Sequence, residues 1–178
     1  MNKPHLLLAK DYWRRHLKPG DFAIDATCGN GHDTLFLSQL LSEGLVFGID
    51  IQEAALQKTE KLLGGAKNVQ LFRQSHADPI PVPKPPRLVV YNLGYLPGGD
   101  KSITTMTGST LQSIRQSLSL LDAGGAISIT CYPGHHEGML EESKILAFIK
   151  NLKYTYHQWD SAPITTGHRR PSLLWIQT

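Results

Sequence analysis

Cysteine is scarce: the 178 residues hold only Cys28 and Cys131. Neither belongs to a CxxC pair, which excludes a disulfide framework and a structural zinc site as organising devices. Both thiols are expected to be buried small hydrophobes, and no metal site is expected. Long apolar runs are missing too. Near the start, charges return directly after Leu6-Leu7-Leu8, far short of the roughly 20 residues that cross a bilayer and too short for a secretory leader. The expectation is a cytoplasmic protein with no membrane partner. A strong charge of one sign is also lacking, since 18 Lys and Arg stand against 15 Asp and Glu, a net charge of +3. That balance permits nucleic-acid binding without demanding it. No internal repeat and no linker interrupts the chain, so residues 1–178 read as one domain.

What is present is an alternation. Apolar residues recur at helical spacing from Pro4 to Leu17, and Pro19-Gly20 ends that helix. Phe22-Ala-Ile-Asp-Ala is a short buried strand, followed by a glycine turn and a helix over His32–Leu41. Leu45–Asp50 is a second strand, Gln52–Leu63 a helix closed by Gly64-Gly65, and Val69–Arg73 a third strand. The loop from Asp78 to Pro86 holds five prolines and excludes regular structure. Strand Leu88–Asn92, helix Met106–Leu121, strand Gly125–Cys131 and a helix from about Glu137 to Lys150 follow. Two strand-like runs, Tyr154–Trp159 and Ser172–Gln177, end the chain with no helix between them. The pattern predicts an α/β fold with helices on both faces of a mostly parallel sheet, and an antiparallel hairpin at one edge.

The strand ends carry the chemistry. Asp25-Ala-Thr-Cys-Gly-Asn-Gly-His-Asp-Thr runs from the first strand into the next helix, with Gly29 and Gly31 allowing a tight turn and close approach of a ligand. Asp50 ends the second strand 19 residues beyond Gly31, where a carboxylate can accept hydrogen bonds from ribose hydroxyls. Thr34 stands where a dinucleotide fingerprint needs its third glycine. An acidic residue just before the turn, Asp25, suits a cationic sulfonium and ammonium better than a pyrophosphate. The pattern therefore favours S-adenosylmethionine over a nicotinamide dinucleotide. Thr27, Asn30, His32, Asp33 and Gln52 flank these positions and join the expected cofactor set, with His76 after the third strand.

Four blocks of sequence carry a family resemblance: D-A-T-C-G-N-G-H-D-T from Asp25, G-I-D-I-Q from Gly48, N-L-G-Y-L-P-G-G-D-K from Asn92, and Y-P-G-H-x-E-G from Tyr132. Together they resemble the MnmM-type tRNA wobble-uridine methyltransferases, a family also labelled rRNA methylases. The resemblance spans nearly the whole chain. It implies a Rossmann-like methyltransferase fold of seven strands with a final antiparallel strand. It further implies S-adenosylmethionine as cofactor, and as partner the anticodon stem-loop of a tRNA. The reaction implied is methylation of the aminomethyl nitrogen of 5-aminomethyl-(2-thio)uridine at the wobble position.

Asn92-Leu-Gly-Tyr also resembles the Asn-Pro-Pro-Tyr loop of amino-group methyltransferases, in which an amide oxygen and a backbone carbonyl orient the target amine. Asn92 is thus expected to touch cofactor and amine, and Tyr95 to stack on the base. Asp100, His135 and His76 are the candidate proton acceptors, beside solvent. Leu93, Gly94, Gly98, Gly99, Tyr132 and Pro133 complete the expected substrate side. Arg169 and Arg170, beside Thr165 and Thr166, suit phosphate contacts, and Arg14 and Arg15 read as a solvated helix face. No dedicated RNA-binding domain stands out, so these loops or a second subunit of a homodimer must grip the RNA. A methyltransferase for rRNA or for a small amine, and a cofactor-binding regulator, are the competing readings; the amine-orienting loop weighs against the last.

Overall fold

The computed structural model describes residues 4–96, 98, 104–160 and 170–178, with only the backbone of Asp160. The elements follow the predicted order: α1 (Pro4–His16), β1 (Phe22–Asp25), α2 (His32–Leu40), β2 (Leu45–Asp50), α3 (Glu53–Leu63) and β3 (Val69–Arg73). Then come β4 (Leu88–Asn92), α4 (Thr107–Leu120), β5 (Ala126–Cys131), α5 (His136–Ile149), β6 (Thr155–Asp160) and β7 (Ser172–Gln177). Boundaries shift from the expected ones by a residue or so, as helix ends do when caps compete with fraying.

The seven strands form one sheet in the order β3-β2-β1-β4-β5-β7-β6. Strands β1 to β5 pair in parallel, and β7 runs antiparallel to both β5 and β6. The closing hairpin is therefore laid on the β5 edge with its second strand innermost. Every residue of β1 and β5 is buried, as strands covered on both faces must be.

Side chains alternate between two apolar layers. Ile24, Phe47, Val89, Ile127 and Ile129 point to one face and pack with Ile114 of α4 and Ile145 and Ile149 of α5. Their neighbours Ala23, Val46, Leu88, Val90 and Ala126 point to the other, against Ala9 and Trp13 of α1 and Leu37 and Leu41 around α2. Cys28 and Cys131 are free and buried, as expected. No helix of the described residues is long and apolar enough to cross a membrane.

The sheet winds outward from β1 to β2 and β3 in one direction and from β4 to β5 in the other. In such sheets the gap between β1 and β4, beyond their carboxyl ends, is where a ligand sits. Asp25, Asp50 and Asn92 end the three strands around that gap.

Candidate active site

The turn after β1 is held by its own polar groups. Gly29 donates its N–H to Asp50 Oδ2 at 2.9 Å, and Gln52 donates its N–H to Asp50 Oδ1 at 2.9 Å. One carboxylate thus ties the glycine turn to the start of α3, and its remaining lone pairs stay available to hydroxyls. The two glycines do different work. A Cβ on Gly29 would project toward Leu96 Cδ1, 3.5 Å away, and both residues line the cavity described below. A Cβ on Gly31 would meet the backbone of Thr59 in α3 at 2.8 Å. Gly31 therefore lets α2 and α3 approach, and its φ of 82° adds a conformation that side chains resist.

Asp25 is turned away from the cavity. It is 1% exposed; its Oδ2 accepts the Thr34 hydroxyl at 2.6 Å and its Oδ1 accepts the Thr27 N–H at 3.2 Å. Burial, with the negative charge of Asp33 next, pushes its carboxyl up to about 7. Because the folded value lies above the unfolded one, the folded state binds the extra proton, and stability falls as pH rises from about 4 toward 7. Urea unfolding across that window is expected to show this decline, and Asp25→Asn to flatten it; an unchanged slope would contradict the assignment.

Thr27 bridges the gap between the central strands: the Asn92 N–H donates to Thr27 Oγ1 at 2.7 Å. The Asn92 side chain in turn donates from Nδ2 to Asp33 Oδ2 at 3.1 Å. Asp33 also pairs with Lys10 of α1, its Oδ1 lying 3.2 Å from Nζ. Beyond Asn92, Gly94 is stapled on both sides by Thr105. It donates its N–H to Thr105 Oγ1 at 2.9 Å and accepts the Thr105 N–H at 3.1 Å, and Tyr95 bridges to Thr104. The Thr105 hydroxyl donates to Glu141 Oε2 at 2.9 Å and Thr110 to Glu141 Oε1 at 2.7 Å. This buried carboxylate of α5, raised in pKa by its burial, anchors the loop that carries Gly94 and Tyr95.

His135 is the N-cap of α5 and accepts the Gly138 N–H on Nδ1 at 3.1 Å. With that lone pair engaged, the neutral ring carries its proton on Nε2, so accepting a substrate proton would cost the cap. Its ring stands 6.2 Å from that of Tyr95. Tyr132 meets His5 of α1 edge-on, and burial, followed by the charge of Asp33, pushes its hydroxyl up to about 12. His76 lies against Tyr91 with its ring bonded to the Ala26 backbone, and burial lowers its pKa, which keeps it neutral.

These groups surround one cavity of about 1350 Å³. On its β1–β2 side it is lined by Thr27, Gly29, Asn30, Asp50 and Gln52, with His32 and Asp33 at the start of α2 and His76 after β3. On the other side lie Asn92, Leu93, Gly94, Tyr95, Tyr132 and His135. The expected cofactor and substrate residues thus converge on a single space. Asp25, Gly31 and Thr34 stand behind its wall, and Gly98, Pro133 and Arg170 do not line it either. Gly99, Asp100 and Arg169, with Lys101, Thr165 and Thr166, lie outside the described residues. Among the described residues no cluster of His, Cys, Asp and Glu is arranged to hold a metal ion.

Sequence reasoning missed several contributors, among them three on the cavity wall and the Thr105–Glu141 anchor behind it. Leu6 and Lys10 of α1 line the cavity; their i, i+4 spacing placed them on one helix face but gave no direction for that face. Ile51 also lines it and is 54% exposed; an apolar residue directly after the acidic strand end was the available signal. Arg14 and Arg15 are both exposed, as expected; Arg15 pairs with Asp11, and Arg14 lies over Phe36 with 4.7 Å to the ring centre.

A family model described as "Putative rRNA methylase" matches residues 46–177. A crystal structure of a "putative rRNA-methylase" from Clostridium thermocellum superposes with a TM-score of 0.91 at 36% identity, covering 99% of this chain and 98% of that one. A "putative methyltransferase" from Streptococcus mutans, solved in complex with SAH, gives 0.85 at 34% identity over 99% of both chains. A chloroplastic tRNA (mnm5s2U34)-methyltransferase of Arabidopsis thaliana is 38% identical over 155 residues, 79% of this chain. The chain spans 57% of the length of that plant relative. With its Rossmann-like fold and strand-end site, the chain belongs to the rRNA methylase family.

Proposed function

We propose that this protein is a single-domain, cytoplasmic, S-adenosylmethionine-dependent N-methyltransferase. Its substrate is the aminomethyl nitrogen of 5-aminomethyl-(2-thio)uridine at the tRNA wobble position. The observation that carries the reading is Asn92, its backbone N–H held by Thr27 and its side-chain amide by Asp33 at the end of β4, lining the same cavity as the Gly29–Asp50 turn. The cofactor fits the residues present. Gly29 leaves room for a ligand against the backbone, Asp50 offers acceptors for ribose hydroxyls, and Ile51 offers an apolar face for a purine. S-adenosylmethionine supplies an electrophilic methyl; the amine nitrogen forms the new N–C bond as the S–C bond breaks, and one proton is released.

The remaining chemistry falls to the protein. The Asn92 carbonyl and a backbone carbonyl of the Leu93–Gly94 loop accept the amine N–H groups, which aims the lone pair and supplies much of the acceleration. Tyr95, 41% exposed at the cavity rim, presents a ring face for the base. Proton loss precedes attack, to solvent; the burial that disfavours a charged His76 makes that ring a poor acceptor. The cavity exceeds the roughly 300–1,000 Å³ of a site for one small ligand, which suits a cofactor and a flipped nucleoside together. The anticodon stem-loop rests on the rim formed by these loops, gripped by one subunit or by the two of a homodimer.

In a strain lacking the protein, nucleoside mass spectrometry of total tRNA is expected to show 5-aminomethyl-(2-thio)uridine accumulating and its methylated product lost. Unchanged tRNA nucleosides with an altered rRNA or small-amine methylation would overturn the substrate assignment in favour of those readings.

A further inference from the structure

We propose that the Lys10–Asp33 ion pair is a positioning device that sets the Asn92 amide carbonyl-outward and holds the amine subsite electrically neutral, an inference that rests on the amine-methylation reading above. An asparagine amide can be flipped, and only one orientation presents an acceptor to the incoming amine. Asp33 accepts only, so the 3.1 Å contact from Asn92 Nδ2 commits the amino end to α2 and turns Oδ1 toward the cavity that Asn92 lines. Lys10 holds the other carboxylate oxygen at 3.2 Å, and its ammonium sits 4.9 Å from the Phe36 ring centre. Both charged side chains are mostly buried, at 22% and 14% exposure. The helix α1 thereby reaches through Asp33 to the amide, which accounts for a lysine and a carboxylate facing a site whose substrate is itself a cation.

The charge balance follows from the chemistry. A lone carboxylate behind Asn92 would favour the protonated ammonium, which has no lone pair to attack with. Lys10 cancels that field. The other titratable and charged groups nearby are His5 and Arg14 of α1, the latter over the same Phe36 ring as Lys10, His32 of α2, Asp25 behind the wall, Cys28, and Tyr95, Tyr132 and His135 of the two facing loops, with the Tyr132 hydroxyl also bonded to the Asn92 side chain. Asp50, His76 and Glu137 complete the cavity lining.

Two measurements test the proposal. In ¹⁵N-labelled protein, one Asn92 side-chain amide proton should be shifted and protected from exchange. Asp33→Ala should abolish that protection, and Asp33→Asn, with one oxygen for the two donors Lys10 and Asn92, should keep it only in part; an unchanged signal in Asp33→Ala overturns the orienting role whatever the substrate. The second is methyl transfer to a tRNA bearing 5-aminomethyl-2-thiouridine, followed against pH. Asp33→Ala should lower kcat about tenfold to a hundredfold with cofactor Kd within about threefold. At saturating tRNA the acid limb of the kcat profile, which reports the bound amine, should move up by about one pH unit in Lys10→Met and down by a similar step in Asp33→Asn. Limbs that stay put, or move together, overturn the charge-balancing role. Failure of the wild-type protein to methylate that tRNA would instead overturn the substrate assignment, and the amide signal would still decide the orienting role.

Discussion

Replacing Asn92 by alanine is expected to lower turnover by about a hundredfold or more, with the cofactor dissociation constant changed by less than about threefold. The asymmetry comes from where the side chain is held. Its backbone N–H belongs to Thr27 and survives the substitution, so the strand end and the glycine turn keep their geometry. What disappears is the amide opposite Asp33, the group proposed to aim the amine. Single-turnover kinetics with calorimetric cofactor titration separates the two quantities. Loss of cofactor binding with turnover preserved at saturation would assign Asn92 to the cofactor alone.

Asp50→Ala is expected to give the reverse pattern, with cofactor affinity falling by about ten- to a hundredfold, the worth of one or two charge-assisted hydrogen bonds. Two effects add. The carboxylate lost is the proposed ribose acceptor, and the N–H groups of Gly29 and Gln52 lose their partner at once, so the turn that cradles the cofactor loosens. Rate at saturating cofactor should recover to within a fewfold of wild type. An affinity unchanged by calorimetry would remove Asp50 from the cofactor site.

Much of this arrangement was legible in the chain. Strong 3.6-residue and 2-residue periodicities, punctuated by Pro19-Gly20, Gly44 and Gly64-Gly65, set the elements, and two strand-like runs without helical periodicity between them in the sequence pointed to the hairpin. The chemistry at strand ends was legible because parallel strands gather their carboxyl ends at one edge, so Asp50 and Asn92 had to be neighbours of one space. Direction was not legible. Nothing in Asp25-Ala-Thr-Cys-Gly-Asn-Gly says that Asp25 turns inward to Thr34, or that Gly31 makes room for Thr59 while Gly29 faces the cavity. Those outcomes depend on how α2 meets α3. The place of Lys10 depends on Ala9 and Trp13 packing among Leu88 and Trp175, a contact across the chain that no local spacing encodes. Glu141 gave no signal because a Glu on a helix is usually solvated, and its burial is made tolerable by Thr105 and Thr110.

The central claim is that an amine on a wobble uridine is methylated in this cavity, and incubation of the purified protein with labelled S-adenosylmethionine tests it most directly. The acceptors are one tRNA carrying 5-aminomethyl-2-thiouridine and the same tRNA with an unmodified uridine, followed by nucleoside mass spectrometry. The account predicts label only in 5-methylaminomethyl-2-thiouridine and none in the unmodified control. Label on a ring carbon, a ribose or another nucleotide, or none in either RNA, would contradict it.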